Sequence, residues 1–127
     1  MRRIVLDSAI VLGWFTGARG PGLVLRTEYE QGALAIVAPR SLPGEILEAT
    51  ARSPGWTADR LASLAAELER LGFELRDPPA SELAAWLSRG LSGPAATYAA
   101  LASALDLPLV TADEVLLREA ATVAQHP

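Results

Sequence analysis

The sequence predicts an α/β fold, a three-layer α/β/α sandwich in which helices cover a mainly parallel sheet. Three observations lead there. Short apolar runs suited to strands alternate with helical patterns along the whole chain. Half of the residues are hydrophobic, enough for a proper core in 127 residues. No internal repeat, linker or low-complexity stretch divides the chain, so one domain is expected over residues 1–127.

Each element has its own warrant. "RRIVLD" opens with a β-branched run and reads as a buried strand. "SAIVLGWF" is apolar enough for a buried helix. Gly17, Gly20, Pro21 and Gly22 then break the chain. "LVLRTEYEQG" reads as a short helix stopped by Gly32, and "ALAIVAP" as a second strand ended by Pro39. In "SLPGEILEATAR", Leu42, Ile46 and Ala49 share a helical face, and Pro43 is tolerable near the helix start. Thr57 is a good N-cap, and Asp59 follows in the first turn. Leu61, Leu64, Ala65, Leu68 and Leu71 keep helical spacing until Gly72. "FELRD" is a third strand, broken by Pro78 and Pro79. "SELAAWLSRG" is a helix. The next helix takes Pro94 as its first residue and buries Tyr98, Leu101, Ala102 and Leu105. "LPLVT" is a strand, "DEVLLREAA" the last helix, and "TVAQHP" a terminal edge strand.

Composition excludes several chemistries. Without cysteine there are no disulfides, thiolate zinc sites or thiol nucleophiles, which suits a cytoplasmic protein. The only histidine, His126, is beside the C-terminus, where chains fray, so histidine catalysis is not expected. Asp7 interrupts the first apolar run too early for a signal peptide, and no run approaches a membrane span. A net charge of −4 argues against broad electrostatic attraction to nucleic acid. It leaves room for a nuclease, because metal-binding acids carry negative charge themselves.

In open parallel sheets, functional groups gather beyond the C-terminal ends of strands. Asp7 follows the first strand there and Asp113 the fourth; Glu45, on the helix after the second strand, can reach the same edge. Three carboxylates brought together repel one another, and Mg²⁺ or Mn²⁺ would relieve that cost. Such an ion could generate hydroxide and stabilise charge on a scissile phosphate. Asp7 could equally cap the helix that starts at Ser8. Glu45 could be a solvated helix residue, with Glu48 one turn on easily mistaken for it. "TADE" fits a capping box, with Thr111 as N-cap and Glu114 turning back to its N–H. Asp113 is then left to face the strand edge.

Taken jointly, "IVLDSAIVLGWF", "LAIVAPRSLPGEILEA" and "LSGPAATYAALASALDLPLVTADEVLL" resemble the PIN-domain family, and within it the VapC-like toxin ribonucleases of toxin–antitoxin pairs. The likeness covers nearly the whole chain. It implies an α/β/α sandwich whose acidic pocket binds Mg²⁺ or Mn²⁺ and hydrolyses RNA. By matching motifs, the family's metal-binding and catalytic acids fall on Asp7, Glu45 and Asp113. Thr111 matches the Thr that commonly precedes the last acid, and Ser8 and Glu114 are supporting positions. The resemblance also implies a homodimer and a small antitoxin partner.

Three positions depart from the family pattern. An Asp is usual at the start of the "TYAALA" helix, and this chain has Ala95. Ala9 stands where Ser is common, and Glu48 where Asn is common. Asp106 lies about three turns beyond Ala95, too far to substitute. The leading expectation is a metal-dependent endoribonuclease. The alternative is a degenerate PIN domain that binds RNA or a protein without cutting. A phosphoacceptor-type protein, with Asp7 phosphorylated, would want a lysine beside its phosphate, and this chain has none; the haloacid-dehalogenase pattern would also want a second Asp where Ala9 stands. Arg19, Arg40 and Arg52 lie near loops or helix ends and are candidates for RNA phosphate contacts, against a plainer reading as solvated arginines. Trp14, Phe15, Trp86 and Tyr98 read as core or dimer-interface residues.

Overall fold

The computed structural model describes Met1–Pro127. Its strands are β1 (Arg2–Leu6), β2 (Leu34–Ala38), β3 (Glu74–Leu75), β4 (Leu109–Val110) and β5 (Ala124–Gln125). Its helices are α1 (Ser8–Thr16), α2 (Pro21–Glu30), α3 (Leu42–Ala51), α4 (Ala58–Leu71), α5 (Ala80–Leu87), α6 (Gly93–Leu105) and α7 (Glu114–Glu119). All strands run parallel, in the order β3-β2-β1-β4-β5. The three-layer α/β/α sandwich follows from the alternation of side chains along the strands. Ile4 and Leu6 of β1, Leu34, Ile36 and Ala38 of β2, and Val110 of β4 point to one face, where α1 to α4 pack. Val5, Val37 and Leu109 point to the other, beneath α5, α6 and α7. β1 is central and buried on both faces, which explains its unbroken apolar run.

The strand order reverses beside β1. From it the chain steps outward to β2 and β3, then returns to its other side for β4 and β5. Leu6 is in register with Val110, so β1 and β4 end together. A crevice opens at such a switch point, just past the strand tips.

Helix limits follow local chemistry, with three corrections to the sequence reading. Thr57 does cap α4, its Oγ1 accepting the Arg60 N–H at 3.2 Å, and Gly72 ends the helix in the left-handed region at φ 68°. The break after α1 is shorter than expected. Pro21 and Gly22 belong to α2, because proline's fixed φ and missing N–H suit a first helical position. Gly93, not Pro94, begins α6; Ser92 is the N-cap and accepts the Ala95 N–H. In α3 the buried face is Leu42, Ile46 and Thr50, spaced four apart, while Ala49 is exposed. The Thr50 hydroxyl can be buried there because it donates to the Ile46 carbonyl at 2.8 Å.

Helix α6 is covered on nearly all sides, with Ala96, Ala99, Ala100 and Ala102 almost completely buried. Small side chains let it approach the sheet closely. It ends at Asp106, the one non-glycine residue with positive φ, 54°. An acid at a helix C-terminus also faces the negative end of the dipole. Asp106→Gly should therefore stabilise the fold by about 0.5–1 kcal/mol, read as a rise in urea midpoint at constant m-value. A fall in the midpoint would contradict this account of the cap. No helix is long and apolar enough to cross a membrane.

Candidate functional site

Asp7 takes the N-cap position of α1. Its backbone carbonyl accepts the Ile10 N–H at 3.1 Å, but its side chain forms no capping bond. The carboxylate instead turns across to the end of β4, where Thr111 Oγ1 donates to Asp7 Oδ2 at 2.7 Å. Asp7 is thus a cap by backbone position and a site residue by side chain. Burial pushes its pKa above the ordinary carboxylate range. The bond from Thr111 opposes that shift, the negative charge of Asp113 adds to it, and the N–H groups of Ser8 and Ala9 oppose it.

The capping box expected at "TADE" does not form. Thr111 is fully buried and continues the sheet edge, its N–H donating to the Gln125 carbonyl at 3.0 Å. That N–H is therefore not available to the Glu114 carboxylate, which a capping box would turn back to it. The Thr111 hydroxyl is occupied as well, donating to Asp7 and accepting the Asp113 N–H at 3.0 Å. Asp113 caps α7 instead: its Oδ1 accepts from Val115 N–H at 2.8 Å and Leu116 N–H at 3.1 Å. Glu114 is exposed in the first turn, where an acid suits the helix dipole. Asp113 therefore closes the helix through one oxygen, and its Oδ2 has no hydrogen-bond partner within the protein.

Glu45 is half-buried in the first turn of α3. Ser41 Oγ donates to its Oε1 at 2.7 Å, and the Tyr98 phenol to its Oε2 at 3.4 Å. Tyr98, on α6, is buried, and its phenol is held far above its ordinary pKa. Burial is the first cause and Glu45 the second; the Ser8 hydroxyl acts the other way, and Asp7 adds to the rise. Tyr98 thus stands within electrostatic reach of both Asp7 and Glu45. The sequence reading assigned it to the core or a dimer interface. Its signal was its place one turn after Ala95, on the helix that faces the acids. Ser41 was missed too, although it lies four residues before Glu45.

The acids meet as a pair rather than a trio. Thr111 joins Asp7 and Asp113, Glu45 is engaged by Ser41 and Tyr98, and no group of three or more Asp, Glu or His side chains is placed to hold a metal ion. Glu48 does not help, being exposed and paired with Arg52. Arg40 is bound to Asp77. Ala95 is half-buried in the first turn of α6.

No family model and no curated protein matches the sequence. Among solved structures, the chain is similar to the crystal structure of PAE2754 from Pyrobaculum aerophilum, with 23% identity and a TM-score of 0.63. The match covers 93% of this chain and 84% of that one. At this identity the likeness is one of fold.

Proposed function

We propose that the chain is a metal-dependent endoribonuclease, in keeping with its resemblance to PIN-domain toxins. One observation carries the reading: at the sheet's switch point the Thr111 hydroxyl donates to the Asp7 carboxylate and accepts the Asp113 backbone N–H, which holds Asp7, half-buried, within reach of its neighbour's charge. A carboxylate whose charged form is disfavoured in this way is one that a bound cation would stabilise.

The donor set fits Mg²⁺ or Mn²⁺. Thr111 occupies Asp7 Oδ2, and the α7 amides occupy Asp113 Oδ1. Each acid keeps one oxygen. Two carboxylates suffice for Mg²⁺, which retains waters and draws further ligands from substrate phosphates. Once bound, a divalent ion would neutralise charge on the scissile phosphate and make water a better nucleophile at neutral pH. The chain's own residues do the positioning. Thr111 fixes the Asp7 carboxylate, the α7 N-terminus fixes Asp113, and Ser41 with Tyr98 fixes Glu45. The Tyr98 phenol acts on Glu45 as a hydrogen-bond donor. A small antitoxin and a second copy of the chain are the partners this reading brings with it.

Purified protein should cleave single-stranded RNA when Mn²⁺ or Mg²⁺ is added, and Asp113→Asn should remove that activity. Equal cleavage by the variant would trace it to a contaminant.

Ala95 favours a second reading, a binder that does not cut. Position 95 is the third residue of α6 and one turn before Tyr98, so an acid there would suit the helix dipole and face the same crevice. Ala95→Asp should tighten Mn²⁺ binding by at least the roughly 10-fold that outer partners of metal ligands contribute. Cleavage appearing only in this variant makes the natural protein a binder. Strong cleavage by the parent removes that reading.

A further inference from the structure

Beside the acid pair, α1 and the start of α2 enclose a cleft of about 240 Å³. Ile10, Trp14 and Leu23 line it. The Trp14 indole N–H is already spent on the Gly22 carbonyl at 2.8 Å, so this wall offers apolar surface rather than donors. The cleft adjoins the site. Ala9, two residues after Asp7, and Ala112, directly before Asp113, both line it. Arg19 lines it too. This side chain is exposed and forms no ion pair or hydrogen bond, whereas Asp77 holds Arg40 and Glu48 holds Arg52. Of the three arginines singled out in the sequence, the structure leaves one uncommitted, and it is the one that lines this cleft.

We propose that this cleft is a nucleotide subsite: it takes the base of the RNA nucleotide next to the cleaved linkage, while Arg19 pairs with that nucleotide's phosphate. The inference rests on the ribonuclease reading and names where the substrate would be gripped. A polyanion approaching two carboxylates in a chain of net charge −4 needs a nearby cation, and an unpaired guanidinium suits a phosphate's geometry. A base has an apolar face of its own, which an apolar wall accepts whatever its identity. The cleft is smaller than the roughly 300–1,000 Å³ of pockets for drug-sized ligands, which suits a single ring system. Single-stranded RNA supplies such unstacked bases; a duplex does not.

The test is fluorescence anisotropy with a short single-stranded oligoribonucleotide in EDTA, where no cleavage occurs. Arg19→Gln should weaken binding several-fold and flatten the salt dependence by about 0.7 in slope, the value of one phosphate contact. Arg19→Lys should recover part of the affinity. Arg2→Gln, at the opposite end of β1, should change neither quantity. Ala9→Leu, which narrows the cleft from an exposed position, should weaken the oligonucleotide roughly tenfold, the scale of one base's contact. It should leave binding of inorganic polyphosphate unaltered. The subsite is overturned if wild-type protein binds no RNA, or if Arg19→Gln and Ala9→Leu behave like Arg2→Gln. Cleavage in Mn²⁺, measured on the same samples, separates the two ideas. RNA gripped through Arg19 but never cut would keep the subsite and remove the nuclease. RNA cut equally by all variants would do the reverse.

Discussion

Asp7→Asn is expected to lower metal-dependent RNA cleavage by on the order of 100-fold or more while making the metal-free protein more stable at neutral pH. The two effects have one origin. Burial raises the Asp7 pKa, so the folded protein holds this proton more tightly than the unfolded chain does. The resulting stabilisation is fully present below the ordinary carboxylate pKa and is lost as pH rises through the raised one. At neutral pH the wild type carries a charge that its fold disfavours. Asn keeps the shape, and its Oδ1 can accept the Thr111 hydroxyl as Asp7 Oδ2 does. It removes the buried charge and its repulsion with Asp113. Thermal melts should show the Tm advantage of Asp7→Asn at about pH 7, shrinking as pH falls toward about 4. Mn²⁺ should raise the wild-type Tm, by the equivalent of about 2.7 kcal/mol at a hundredfold excess over Kd, and leave the variant unmoved. A variant less stable than wild type at neutral pH would mean that the carboxylate is satisfied within the protein and needs no cation. That outcome would remove the main support for the metal reading.

The largest stability effect is expected at Leu6→Ala. Leu6 is fully buried on the central strand, in the core shared with α1 to α4, and directly precedes Asp7. Truncation loses the buried methyl groups and leaves a cavity that two layers of packing cannot close. Comparable sites cost about 2–5 kcal/mol. For a chain of this length the Tm should fall by on the order of 10 °C or more. Val24→Ala, on the exposed face of α2, should stay within about 0.5 kcal/mol. Urea unfolding of both variants checks the contrast. A loss below about 1 kcal/mol at Leu6 would show that β1 is not held as the central strand. Because β1 sets where Asp7 sits relative to β4, the same variant should also weaken Mn²⁺ binding.

Much of this fold was legible because its signals are local. β-branched runs, proline at helix starts, glycine at helix ends and the Thr57 cap depend on a few neighbouring residues. They placed the strands, and so placed Asp7 and Asp113 at strand ends. The errors occurred where two local rules competed. Around Pro21 the breaker reading lost to proline's fitness for a first helical turn. In α3, Ala49 looked like the core residue, yet Thr50 is buried because its hydroxyl has the Ile46 carbonyl to bond.

The site was half legible, and "TADE" shows why. Residues 111–114 alone satisfy a capping box, but Thr111 bonds a carboxylate 104 positions away and pairs with β5. Tyr98 likewise reaches a glutamate 53 positions away. Short-range periodicity and capping chemistry, acting over one turn or one strand, let the sequence alone determine the α/β class, the order of elements and the strand ends that carry acids. Only the tertiary structure decided that Asp113 rather than Thr111 caps α7, that Thr111 ties the two aspartates together and that Arg19 is left in the cleft next to them. Those outcomes depend on which strands become neighbours, and a polar side chain commits to the nearest partner once the sheet has formed.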